Sequence, residues 1–301
     1  MTESGTPTLD QLRTLMAVAD TGSFSAAARR LNRAQSVVSY SIANLETQLG
    51  LDLFERDRRR PRLTEAGRAV LSDARRIRRM VDELRTRAHG LTAGLEAEVG
   101  LVVDVMFSTD CLVAALEAFA GEFPTVTLRL RIEGMGAVLQ LVLDRSCGLG
   151  ICGPHAAQIR DIERRLLGST TLVPVAAPGH KLAKMPPPLP TSAFHDHTQL
   201  VLTDRSPLTE GQDFGVVSPR TWRLGDLSAK HALLRAGLGW GSMPEQMVNE
   251  DLRTGRLVRL ERADQPSVEF PLWLIHRSDT PPGPAASWLA ERLLEVAKAA
   301  A

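Results

Sequence analysis

The sequence has no long apolar run, no leader-like start and few cysteines. Nothing in its 301 residues approaches the roughly 18 consecutive apolar residues that a membrane span needs. The opening MTESGTPTLD has neither a basic start nor an apolar core. Neither export nor a membrane partner is expected, and a cytoplasmic location is. Three cysteines, Cys111, Cys147 and Cys152, are odd in number and irregularly spaced, which fits a reducing cytoplasm better than a disulfide framework; buried, inert thiols are expected over redox sensors. Also missing are a G-x-G-x-x-G followed by an acid, a P-loop and a G-x-S-x-G elbow, so no common enzyme constellation assembles and no catalytic role is expected. His195-Asp196-His197 follows the proline-rich PPPLPTSAF with no third ligand at a suitable spacing, so neither a metal nor a cofactor is expected.

Lysine is absent from residues 1 to 91, which hold 16 arginines against 11 acids, a net charge of +5. The other 210 residues hold 20 basic and 24 acidic side chains, a net charge of −4. A basic head on a mildly acidic body suits a phosphate-binding module joined to a sensing or catalytic one. Charge alone is equally compatible with an arginine-rich solvated surface.

Local pattern is more specific. Thr8-Leu9-Asp10-Gln11 reads as a capping box, after which Leu9, Leu12, Met16 and Ala19 keep helical spacing until Thr21-Gly22. Ser23 can cap a second, short helix with Phe24, Ala27, Ala28 and Leu31 inward. A third runs through RAQSVVSYSIANLE, where Val38, Ile42, Leu45 and Leu49 share one side while Ser36, Tyr40, Ala43 and Thr47 lie opposite, flanked by Ser39 and Asn44. A short helix, a tight turn and a helix with a small hydrogen-bonding outer face form a helix-turn-helix, whose second helix enters the major groove. Gln35 in its first turn could pair with adenine N6 and N7. After Gly50, LDLFERDRRRPRLTEAG carries five arginines between Arg56 and Arg62, which reads as a wing supplying phosphate contacts.

GSFSAAARRL, Gln35 and SVVSYSIANLETQLGLDLFERDRRRPRLTEAG resemble the DNA-binding signature of the LysR-type transcriptional regulators over residues 8 to 68. The resemblance implies DNA contacts from Gln35, Ser36, Ser39, Tyr40, Arg56, Arg58, Arg59 and Arg60, to which Arg33 ahead of the helix is added. Many relatives have proline in place of Ser36, arginine in place of Tyr40 and a capping hydroxyl in place of Ala34. Double-stranded operator DNA, a small-molecule effector and RNA polymerase are the partners implied.

From Thr64 to Leu91 one long helix is expected, with Val70, Ala74, Ile77, Val81, Leu84, Ala88 and Leu91 alternating steps of four and three. That is a heptad seam and argues for a two-stranded coiled coil. A dimer would let two recognition helices read half-sites about one helical turn apart, and the family resemblance adds a tetramer of two such dimers.

Beyond residue 92 short apolar runs alternate with helical stretches. VGLVVDVMF, VTLRLRI, LGIC, TLVPVAA, TQLVL, TWRL and FPLWLIH read as strands; CLVAALEAFAGEF, AVLQLVLDR and LSAKHALLRAG read as helices. The expected fold class is α/β with mainly parallel sheets behind an N-terminal all-α winged helix-turn-helix. The resemblance implies two Rossmann-like lobes, like a periplasmic solute-binding protein. The expected organisation is a DNA-binding domain over 1–63, a linker helix over 64–91 and an effector domain over 92–301. Within the last, lobe I takes 92–166 and 267–301, and lobe II takes 167–266. Ligands of open α/β sheets sit at the carboxyl ends of strands. Those ends are Phe107-Ser108-Thr109, Gly134-Met135 after Glu133, Thr203-Asp204 and Gly225-Asp226. Ser108 and Thr109 at a helix start would suit a small organic anion, with Met106, Phe107 and Met135 as an apolar wall, although capping alone would explain the hydroxyls. The competing class is a small-molecule-binding or enzymatic α/β protein whose basic head serves something other than sequence-specific DNA recognition. Protection of a discrete interrupted palindrome would belong only to the regulator.

Overall fold

Thr8 starts the first helix as its capping box requires. Its hydroxyl accepts from the Gln11 amide at 3.2 Å and its own amide donates to the Gln11 side chain at 2.7 Å, opening α1 (Leu9–Thr21). Ser23 caps α2 (Phe24–Leu31), and Asn32 in the left-handed region ends it. α3 (Gln35–Leu49) begins at Ala34 without a side-chain cap and ends at the left-handed Gly50. The computed structural model describes residues 5–55, 61–92, 94–154, 159, 161–203, 206–209, 212, 214–264 and 267–300, which divide into two compact units, Met1–His89 and Gly90–Ala301.

The first unit is built around Leu15, Val18, Ala27, Val38, Leu45 and Leu53, with the Phe24 and Phe54 rings edge to face at 5.6 Å. Phe54 and Leu63 form an antiparallel bridge at the base of the arginine-rich segment. The Leu53 and Phe54 amides donate to the Glu46 carboxylate at 2.6 and 3.2 Å, tying this bridge to the end of α3. The fourth helix, α4 (Glu65–Thr92), packs Leu71 and Ala74 into the same core. The first part of the expected coiled-coil seam is therefore used inside this unit. Farther along, Ile77, Leu84 and Leu91 are 36, 65 and 50% exposed.

The second unit is one mixed sheet with helices on its faces. Its first lobe places β1 (Glu98–Asp104) between β2 (Thr127–Glu133) and β3 (Leu149–Cys152), both parallel to it, with α5 (Thr109–Glu122) and α6 (Gly136–Leu143) as crossovers. The chain leaves along β4 (Ile162–Ala176) and, through α7 (Thr191–His195), reaches the parallel pair β5 (Gln199–Leu202) and β6 (Thr221–Leu224). α8 (Leu227–Arg235) then leads to β7 (Trp240–Pro244), which joins β5 through Gln199↔Trp240, and α9 (Glu245–Arg253) and β8 (Val258–Arg259) follow. The chain returns along β9 (Val268–Arg277) to α10 (Pro284–Ala300), whose first amides, from Ala285 and Ala286, donate to Glu96 at 3.0 and 3.1 Å. The strand order is β2-β1-β3-β9-β4-β7-β5-β6, with β8 beside β4.

The expected mainly parallel sheet is corrected here. β4 and β9 carry the chain out and back between the lobes, so they run antiparallel from Ile162↔Arg277 to Leu172↔Val268, and β3–β9 and β4–β7 are antiparallel too. The first half of β4 also extends well before the TLVPVAA expected as a strand. It is an edge strand in the first lobe and exposes Glu163, Arg164, Arg165 and Leu166, so it lacks the apolar run that marks a buried strand.

Gly67 in the first turn of α4 lies against the wing base so closely that a Cβ would stand 2.1 Å from the Leu53 carbonyl oxygen. Gly67→Ala should therefore force backbone apart and lower the stability of the first unit by at least ~1–3 kcal/mol. Calorimetric unfolding of the full chain checks this, and an unchanged transition would show that the contact can relax.

Candidate nucleic-acid interface and effector cleft

The core places the outer face of α3 in solvent. Val38, Ile42 and Leu45 are buried, while Gln35, Ser36, Ser39 and Tyr40 are exposed, Tyr40 by 73%. These four share one surface, and the absence of a side-chain cap at Ala34 leaves the first amides of α3 available to an anion. Arg33 is held differently. Its guanidinium makes a two-pronged contact to Asp10 at 2.6 and 2.8 Å, which lowers the carboxyl pKa of Asp10 and ties the turn back to α1. Arg75 likewise reaches Asp20 at 2.8 Å. Some of the head's positive charge is thus neutralised within the unit. Arg56, Arg58, Arg59 and Arg60 lie outside the described residues.

In the second unit the expected ligand loops meet at the carboxyl ends of the strands. Met106 and Phe107 are buried after β1, and Ser108 caps α5 by accepting from the Cys111 amide at 3.4 Å, with Thr109 exposed behind it. Asp104, 1% exposed, joins two of these loops: it accepts from the Met106 amide at 2.9 Å and from the Met135 amide at 3.2 Å. Met135 itself has φ 52 and ψ −122, a backbone region that favours glycine, so this loop is held under strain. A Cβ on the neighbouring Gly134 would lie 4.0 Å from Leu202 of β5, which brings the first lobe's loop against the second lobe.

The second lobe contributes Thr203, whose amide donates to the Leu224 carbonyl at 2.8 Å, and Gly225, which is exposed beside it. Asp226 caps α8 by accepting from the Ala229 amide at 2.6 Å. Asp204 lies outside the described residues. Gln246 in α9 bridges the lobes: its amide donates to the Met106 carbonyl at 3.2 Å and its oxygen accepts from Thr170 on β4 at 2.7 Å. Lys230 is 4% exposed and donates its Nζ to the Ser242 carbonyl at 2.7 Å. Burial pulls its pKa from 10.5 down to about 8. Among the described residues no group of His, Cys, Asp and Glu is arranged to hold a metal ion, and no helix is long and apolar enough to cross a membrane.

Residues 92–298 match the family described as LysR substrate binding domain, and residues 9–68 match the family described as bacterial regulatory helix-turn-helix protein, lysR family. The chain belongs to the LysR family. Its members' two parts, a DNA-binding helix-turn-helix and an effector-binding domain, are both present, and this LysR-family protein is a transcriptional regulator. A probable HTH-type transcriptional regulator, YhaJ of Escherichia coli (strain K12), is 30% identical over 284 residues, covering 93% of this chain and 94% of its own. Two solved structures share the fold. A cysteine mutant of OxyR from Corynebacterium glutamicum is 23% identical with a TM-score of 0.56, over 98% of this chain and 95% of that one. Full-length LysG from Corynebacterium glutamicum, solved with its effector arginine bound, is 21% identical with a TM-score of 0.52, over 96% of this chain and 98% of that one.

Three groups of the second unit escaped the sequence reading: Asp104, Gln246 and Lys230. Asp104 ends an apolar strand and looks in sequence like a solvated loop acid. Lys230 did leave a trace, because it falls on the inward stripe of α8 between Leu227 and Leu234. Its burial has a thermodynamic consequence. The folded protein buries an ammonium below about pH 8, while the unfolded chain holds that proton to 10.5. At ~1.4 kcal/mol per pKa unit the penalty is about 3 kcal/mol, present below pH 8 and lost as the pH rises to 10.5. Losing the Ser242 hydrogen bond would offset about 1 kcal/mol of any gain. Lys230→Met should therefore be more stable than the parent at pH 7, with the difference shrinking between pH 8 and 10.5. Denaturant unfolding across that range measures it, and a constant difference would refute the cost of burial.

Proposed function

We propose that this regulator is a homodimer, or a pair of such dimers, that reads operator half-sites with α3 and answers a small molecule held between the lobes of its second unit. The observation that carries the reading is the division of α3 into a buried apolar face and an exposed face of Gln35, Ser36, Ser39 and Tyr40. Small hydroxyls and an amide at that face let the helix approach base edges and leave donors and acceptors free to select among them. Arg56, Arg58, Arg59 and Arg60 are assigned to phosphate. Arg33, braced on Asp10, serves better as a positioning contact than as a base reader.

Dimerisation is assigned to α4. Exposed Ile77, Leu84 and Leu91 cost free energy in water and are spaced for a partner helix, and a groove of about 490 Å³ between α1 and α4, floored by Leu12, Met16, Ile77 and Val81 and rimmed by charged side chains such as Arg13, Arg78 and Asp82, lies beside them. The domain limits that go with this reading are 1–63, 64–91 and 92–301. The effector is assigned to Phe107, Ser108, Thr109, Gly134, Met135, Thr203, Asp204, Gly225 and Asp226. The support is that the Asp104 and Gln246 bonds draw the described strand ends of both lobes together, and that LysG holds a small molecule as its effector. The activity is binding, without catalysis, in the cytoplasm, and RNA polymerase is the partner through which binding alters transcription.

Operator fragments selected from genomic DNA test the assignment. Ser36→Ala and Tyr40→Ala should each cost ~1–3 kcal/mol on selected sites and alter sequence preference, whereas Arg59→Ala should weaken all sequences alike and lower the salt slope by about 1. Identical profiles for the two classes would sink it. Ile77→Asp, which sets a charge into the seam, should abolish both the dimer in light scattering and tight operator binding. An undiminished dimer would refute the role of α4.

A further inference from the structure

We propose that Lys230 is the group that recognises the effector's negative charge, and that the effector is a small carboxylate anchored on the second lobe. This rests on the reading of the inter-lobe cleft as the effector site. Among the described residues no carboxylate is bonded to this ammonium, and one backbone carbonyl is its hydrogen-bond partner. An ammonium has three donors, so a buried one with a single acceptor is under-satisfied. Uncompensated burial of charge is costly, and ionisable groups so perturbed cluster at functional sites.

Position supports the same conclusion. The Lys230 stem lies against the sheet at Gly241, where a Cβ would stand 3.1 Å from the lysine Cε, so the absent side chain makes room for it. From there Nζ reaches Ser242, toward the carboxyl end of β7. The β5–β7 pairing is made at Gln199↔Trp240 and does not extend to that end, so the Ser242 carbonyl receives the ammonium instead of a further ladder bond. The carboxyl ends of parallel strands are where open α/β sheets bind ligands. Thr203 follows β5 on one side, and Gln246, which reaches the Met106 carbonyl of the first lobe, lies in the first turn of the next helix on the other. A single positive charge there balances one carboxylate, whose two oxygens can take the two remaining donors. Ser108, already engaged as a helix cap, would add at most a weak contact.

The test uses the full-length protein and matched probes: benzoate, nicotinate, salicylate, pyruvate and succinate, each against its primary amide, by thermal shift and then calorimetry. At least one carboxylate should raise the melting temperature while its amide does not, and Lys230→Met should weaken that carboxylate at least tenfold. Gly225→Trp, which obstructs the cleft from an exposed position, should weaken it as well. Should the methionine variant fail to fold, Lys230→Gln keeps a donor for Ser242 without the charge and reads the same loss. Retained affinity in Lys230→Met with loss in Gly225→Trp overturns the role of Lys230 and leaves the cleft standing. Unchanged affinity in both variants overturns the cleft too. Amides that bind as well as their acids, or a panel in which no carboxylate binds, overturns the recognition of charge.

Discussion

The antiparallel pair of β4 and β9 is what the second unit depends on. Each lobe has its own small parallel sheet, and each would be a separate domain if the chain did not pass out along one long strand and home along the other. Ten residue pairs join these two strands, with a register shift between Leu166 and Gly168 where the sheet passes from one lobe to the next. A shift of this kind interrupts the ladder locally, bends the strands and raises their twist, and pairing resumes at once from Gly168↔Leu272, so the two strands stay joined through both lobes. Gln246 then needs only one side chain to touch the first lobe at Met106 and β4 at Thr170.

The loops that face the cleft are held by polar groups that apolar packing would not require. Asp104 is withdrawn from water to accept two backbone amides, one from its own loop at Met106 and one from Met135, 31 residues further along the chain than Asp104 itself, and Met135 is kept in a backbone conformation that its side chain disfavours. Lys230 is buried at a cost of its own. Such features lower stability where they stand and are tolerated because the surrounding cores, with Leu101, Leu149, Val173, Val175 and Leu289 fully enclosed, supply a surplus. A ligand that meets the lysine and settles between the lobes would return part of that cost, and a difference in affinity between two lobe arrangements is what effector control requires.

The first unit solves a different problem, holding one helix face away from the protein. Three short helices, two of them with side-chain N-caps, close a small core, the Glu46 contacts pin the wing base to α3, and Gly67 lets α4 start against that base. Because the core takes Val38, Ile42 and Leu45, the opposite residues Gln35, Ser36, Ser39 and Tyr40 are left exposed. Asp10 and Asp20 draw Arg33 and Arg75 to the α1 side, which separates positive charge spent on structure from the arginines of residues 56 to 62 that the wing assignment leaves for phosphate.

What the sequence by itself determined is local. Caps at Thr8, Ser23 and Gly50, helical spacing through α1 to α4, and apolar runs for β1, β3 and β5 depend on neighbours a few residues away, and their periodicity is legible without the fold. The family resemblance covered the head closely, so the exposed surface of α3 could be named residue by residue. Tertiary structure alone decided the rest. The first half of β4 reads as a polar stretch because it is an edge strand in one lobe and exposes four side chains, and the antiparallel direction of β4 and β9 follows from where the lobes sit. Asp104 and Lys230 look in sequence like an ordinary strand-end acid and a helix lysine. Burial is a property of what packs over a side chain, and their partners, Met135 and Ser242, come from other elements of the chain, so no local pattern could mark either charge as enclosed.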